Sequence, residues 1–136
     1  MVDRNPFSYA VFRAVPRVER GERINVGVLV FCRPLDFLAV RTGLDEERLR
    51  VLWPDVDVEA VRAHLRALER IAAGDPAAGS IAALDVTQRF HWLVSPSSTV
   101  VQPSEVHTAI GGDPREQFRR LFACLVEPPR ADSAVS

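Results

Sequence analysis

The chain contains no lysine. All 17 of its basic residues are arginines, set against 18 acidic residues for a formal net charge of −1. Without an excess of positive charge it has no overall field to steer it onto nucleic acid or an anionic membrane, so a generic nucleic-acid binder is disfavoured. Its two cysteines, Cys32 and Cys124, stand too far apart for CxxC redox chemistry or zinc-ligand spacing, and both read as buried, reduced thiols. Long apolar runs are missing as well. The greasiest, Val26 to Cys32, falls far short of the ~20 residues of a membrane span, and the opening MVDRNPFSYAV lacks the apolar core of a signal peptide. A cytoplasmic location and no membrane partner are expected. Also absent are a Walker loop, GxGxxG, HExxH and GxSxG. The three histidines, His64, His91 and His107, do not gather with other ligands at metal-binding spacing. No metal and no cofactor are expected.

What is present is ordinary globular composition: 47% hydrophobic, 26% charged, with mean hydropathy +0.01 over 136 residues. That length supports one self-sufficient core, read as a single α+β domain over 1–127 with a flexible tail, PPRADSAVS, over 128–136. Phe7 to Val15 is aromatic and β-branched and is closed by Pro16, which reads as a strand. The connector RVERGER leads to a second strand, Ile24 to Cys32. Its two faces are both apolar, with Ile24, Val26, Val28 and Val30 on one side and Leu29 and Phe31 on the other. After the turn Arg33-Pro34-Leu35-Asp36, a third strand over Phe37 to Arg41 completes a meander.

The period then changes. Asp45 caps a short helix ended by Pro54. A longer one runs from Val58 to Ala73 with Val58, Val61, Leu65, Leu68 and Ala72 as its apolar stripe and Gly74 at its C′ position. Asp75 to Ser80 is a loop, and Ile81 to Leu84 a further helical turn. FHWLV (Phe90 to Val94) and TVVQ (Thr99 to Gln102) read as two short strands of a second hairpin. Asp113, Pro114 and Glu116 form a capping box for a last helix with Phe118, Leu121, Phe122 and Leu125 on one face. The resulting fold class is α+β, an antiparallel sheet made of the meander plus the later hairpin, with both main helices on one face.

Three constellations carry potential chemistry. Arg13, Arg17, Arg20, Arg23 and Asn25 lie around the first hairpin with Gly27. Guanidinium forks bind carboxylate or phosphate bidentately, so Arg13, Arg23 and Asn25 are ligand-binding candidates if they converge. The plainer reading is a solvated loop in which Glu19 and Glu22 balance the arginines. Asn25 resists that reading, because an amide in a greasy strand needs hydrogen-bond partners or costs about 1 to 3 kcal/mol. It is a structural tie or a ligand contact, and Gly27 marks a bulge or a close backbone approach. Arg89, beside Phe90 and Trp92, could stack, pair with Asp85, or join Arg13. Both aromatics fall on one face of the expected strand, more as core than as a base-stacking platform.

His107 is the candidate catalytic base, following Ser97, Ser98, Thr99, Gln102 and Ser104 and preceding Asp113, so that a nucleophile, a base and an orienting carboxylate are nominally present. Hydroxyls that satisfy turn backbone explain the same segment. His64 reads as an exposed structural residue of the long helix, and His91 as a strand residue alternating with Trp92.

Phe7-Ser8-Tyr9, GERINVGVLVF (Gly21 to Phe31), RFHWL (Arg89 to Leu93), STVVQPSEVHT (Ser98 to Thr108) and the closing DP helix together resemble domain-of-unknown-function family three-thousand-thirty-seven, a family of small bacterial proteins. The ERINVGV block and the Val-His-Thr after Gln-Pro are its most specific elements. The resemblance implies no established activity. It does imply a companion, since similar proteins tend to be encoded beside a HipA-type kinase-like protein. A basic residue often precedes the Ser-Thr pair in such proteins, whereas Ser97 stands there here, which implies a weaker anion site at that turn.

The function these readings favour is a non-enzymatic protein-interaction module with a protein partner, kinase-like on the resemblance. The alternative is a small phosphoester- or anion-binding enzyme using Arg13, Arg23, Asn25, Arg89 and His107. Self-association into a homo-oligomer through an edge strand is compatible with either.

Overall fold

Ten consecutive residues beginning at Asn5 run as strand β1 (Asn5–Ala14), the spine of the molecule, because both of its edges are paired. The computed structural model describes residues 4–97 and 99–128. On one side of β1 lies β2 (Ile24–Cys32), followed by β3 (Phe37–Thr42), all antiparallel, which is the meander that the alternating apolar pattern requires. The other edge of β1 is shared. β4 (Val101–Pro103) pairs with Phe12 to Ala14, and β5 (His107–Gly111) pairs with Asn5 to Tyr9. Ser104 stitches the gap between them: its Oγ accepts from the Val11 N–H at 2.9 Å and its own N–H donates to the Val11 carbonyl at 2.7 Å. The fold is therefore α+β on a five-stranded antiparallel sheet, as the periodicity predicts.

Helices α1 (Glu46–Leu52) and α2 (Val58–Ala73) occupy the positions expected from their 3-and-4 spacing. Asp45 and Asp57 cap them by accepting the N–H of Arg48 and Ala60. Gly74 ends α2 in the left-handed region at φ 70°, a conformation that glycine adopts without a Cβ penalty.

Phe90 to Val94 is not a strand. It belongs to helix α3 (Val86–Val94), started by a reciprocal capping box in which Asp85 accepts the Gln88 N–H and the Gln88 side chain accepts the Asp85 N–H. Helical geometry also separates the two aromatics, which sit two residues and so about 200° apart. Phe90 is buried and stacks on Phe31 at 4.4 Å, while Trp92 is 45% exposed. The expected hairpin of Phe90–Val94 with Thr99–Gln102 is thus replaced by β4 and β5, both laid against β1. Helix α4 (Pro114–Leu125) starts where expected, but not with a capping box. Asp113 accepts the N–H of Arg115 at 3.0 Å, and the Glu116 N–H goes to the Asp113 carbonyl.

The helices divide between the two faces of the sheet rather than sharing one. α1, α2 and α3 bury Leu49, Leu65, Leu68, Ile71, Phe90 and Leu93 against Phe12, Val26, Leu29 and Phe31. α4 brings Phe122, with Val126 just beyond it, against Phe7, Val28, Val30 and Cys32 on the opposite face. A bulge in β2 explains the departure from simple alternation. Phe12 pairs with Gly27 but Arg13 pairs with Asn25, so Val26 is the extra residue and the faces swap across it. Ile24 and Val26 join Leu29 and Phe31 in the larger core, and Asn25 falls on the face of α4 with Val28 and Val30. Gly27 serves both of its expected purposes, because a Cβ there would lie 3.1 Å from the Thr42 methyl and 3.2 Å from the Arg41 carbonyl.

Candidate functional site

The bulge decides what stands at the end of α4. Had the register continued unshifted, Asn25 would pair with Ala14 and turn toward the larger core. Shifted by one, it stands beside Arg13 on adjacent strands and on the same face. The last turn of α4 meets it there. The carbonyls of Cys124 and Leu125 would ordinarily accept N–H groups four residues on, but those positions are Pro128 and Pro129, which have none. Asn25 supplies the missing donor to one of them, its Nδ2 reaching the Leu125 carbonyl at 2.9 Å. This contact makes Asn25 a tie between the sheet and the helix end.

Around this junction opens a cleft of about 530 Å³ whose polar lining comes from Arg13, Arg23, Asn25, Arg48, Cys124 and Glu127. Three guanidiniums reach it: Arg13 from β1, Arg23 from the loop just before β2, and Arg48 from α1. Among the described residues none of the three forms an ion pair, although Arg20 pairs with Glu22 and Arg50 and Arg62 both pair with Glu46 nearby. Burial, together with the like charge of Arg23, holds Arg13 below its ordinary pKa against the opposing pull of Glu105, and its Nε is buried without a partner. A cleft of this kind can receive an anion, since guanidiniums that outnumber the carboxylates around them and form no ion pair are prepared for carboxylate or phosphoryl oxygens.

Of the four ligand candidates, Arg13, Arg23 and Asn25 come together and Arg89 does not. On α3, Arg89 donates through Nη1 to the Leu84 carbonyl at 3.0 Å and lies against Gly74, with its Nε buried and unpartnered. His107 is also elsewhere. It opens β5 opposite Tyr9, on whose ring it stacks at 5.1 Å. No hydroxyl or carboxylate bonds to it among the described residues. Ser97 accepts the Thr99 N–H, Thr99 donates to the Val101 carbonyl, Ser104 holds Val11, and Asp113 caps α4. Ser98 lies outside the described residues.

Arg48 escapes sequence reasoning because it is one of two exposed arginines on a short helix, with no local signal that α1 lies beside the start of β2. Cys124 is exposed in the cleft rather than buried, because it sits about 200° around α4 from Phe122, whereas Cys32 is buried as expected. His64 is half-buried rather than exposed. With Trp92 and Phe12 it lines a separate pocket of about 240 Å³, and burial lowers its pKa.

Among the described residues no group of His, Cys, Asp and Glu gathers to hold a metal ion, and no helix is long and apolar enough to cross a membrane. Val106 and Ile110 are exposed at and beside β5, whose outer edge is unpaired among the described residues.

Fold and cleft together define an α+β domain with helices on both faces of its sheet and an arginine-lined cleft where the smaller face runs out. The chain belongs to the family described as protein of unknown function (DUF3037), whose model matches residues 9–126. No curated protein matches it, and no solved structure does.

Proposed function

We propose that this chain is a non-enzymatic binding domain of the cytoplasm that engages a protein partner by capturing an anionic group in the arginine cleft. The observation that carries this reading is the convergence of Arg13 on β1, Arg23 in the loop entering β2 and Arg48 on α1, with no ion-pair partner among the described residues. Side chains that serve only as solvated surface have no reason to share one concavity, since like charges brought together repel. The enzyme alternative finds less support: its acid-base candidate, His107, stacks on Tyr9 and is not part of the cleft lining. The HipA-type kinase-like companion implied by the family resemblance is the first partner to test.

The test is thermal unfolding in phosphate, sulfate or a dicarboxylate against chloride at matched ionic strength. The expected outcome is a midpoint raised by the oxyanions in the wild type and not in Arg48→Gln, since a ligand that binds only the folded state stabilises it by mass action. Equal responses in wild type and variant overturn the proposal.

A further inference from the structure

Resting on that reading, the chemistry of the cleft specifies more than an anion. Its two walls differ. One carries the three guanidiniums and the other is the last turn of α4, from Ala123 to Glu127. At that turn the N–H groups of Val126 and Glu127 both return to the Phe122 carbonyl, at 3.0 and 3.1 Å. The Ala123 carbonyl thereby loses its usual donor, and the Cys124 carbonyl has none because the donor position is Pro128. Among the described residues both carbonyls are open, on exposed residues lining the cleft.

A bare anion would answer the guanidiniums and leave these carbonyls to water. A peptide backbone answers both, because it brings an N–H at every residue. Charge narrows the anion as well. The three guanidiniums outweigh the one carboxylate in the lining, that of Glu127, by two charges. A phosphoryl group at neutral pH carries about −1.5 to −2, closer to that excess than the single negative charge of a carboxylate.

The volume is generous for a phosphoryl group alone, and a second cleft of about 430 Å³ adjoins through Ile24, Asn25 and Arg48, adding Leu44, Phe122 and Pro128. Phe122 is only 5% exposed and its ring is covered by the Arg41 guanidinium at 4.2 Å, so it offers no free face on which a nucleobase could stack.

We infer that the two clefts form one groove for a phosphorylated segment of a partner protein. Its phosphoryl group lies among Arg13, Arg23 and Arg48, its backbone N–H groups donate to Ala123 and Cys124, and a neighbouring apolar side chain sits beside Leu44.

The full chain is titrated by fluorescence anisotropy with a positional-scanning peptide library centred on phosphoserine and with the same library unphosphorylated. Inorganic phosphate and adenosine monophosphate serve as competitors. The phosphorylated pool is expected to bind at least tenfold more tightly than the unphosphorylated one. Arg48→Gln and Arg23→Gln, both at exposed positions, are each expected to weaken it about tenfold with an unchanged melting midpoint. N-methylation of the amides flanking the phosphoserine is expected to weaken it severalfold. If phosphate alone or the nucleotide binds as well as the best peptide, this inference falls while the anion cleft stands. If no anion binds at all, both fall.

Discussion

The two faces of the sheet are built to different ends. Beneath α1, α2 and α3 the layer is continuous, with Phe12, Val26 and Leu29 essentially inaccessible and the stripe of α2 filling its length. Beneath α4 the apolar layer is short, ending after Val28 in Asn25 and Arg13, where the helix also ends. Core packing accounts for the first face throughout. On the second, packing stops partway along the strands and polar groups take over at the place where the cleft opens, so only part of that face is committed to core.

This contrast can be broken at several points. The largest effect is expected from Phe12→Ala, near the upper end of the roughly 3 to 5 kcal/mol typical of buried phenylalanine, with Phe122→Ala nearer the lower end because its core is smaller. Denaturant midpoints check both, and an unchanged midpoint for Phe122→Ala refutes the packing of α4. Gly27→Val should cost about 1 to 3 kcal/mol, since the new side chain meets the Arg41 carbonyl and the Thr42 methyl at the bulge. If urea denaturation shows no loss, the close approach is not what maintains the two-faced register.

Asn25→Ala leaves the Leu125 carbonyl without its donor and should cost about 1 kcal/mol. Faster amide exchange in the last turn of α4, with α2 unaffected, would place the loss on the smaller face.

The smallest effect concerns His64 on the larger face. Burial lowers its pKa below the ordinary 6.5, so the unfolded chain takes up the proton first as pH falls. The His64 contribution is complete above about pH 6.5 and is lost as pH drops from there through the folded-state pKa. His64→Gln should flatten the stability profile in that window, and a profile unchanged by the substitution would show that His64 is not its source.

Legibility followed locality. β1, β2, β3, α1, α2 and α4 announce themselves through periods and caps contained within each segment. α3 does not, because FHWLV is rich in residues that also suit strands; Asp85 followed three residues later by Gln88 is the signal for its start. β5 is short, with little alternation, and its strand character comes from the partner that β1 provides. In the site, Asn25 stands out as an amide in an apolar run and Arg13 and Arg23 flank it, whereas Arg48 looks like any surface arginine.

By itself the sequence determined the α+β class, the meander, the two long helices and the oddity of Asn25, because periodicity, caps and turn residues act over a few neighbours. Only the tertiary structure decided which face each helix covers, that Arg48 joins Arg13 and Arg23 while Arg89 and His107 stand apart, and that Asn25 completes the end of α4. Those outcomes depend on a one-residue bulge and on pairings across the chain, including a contact between residues 25 and 125, which no local pattern encodes.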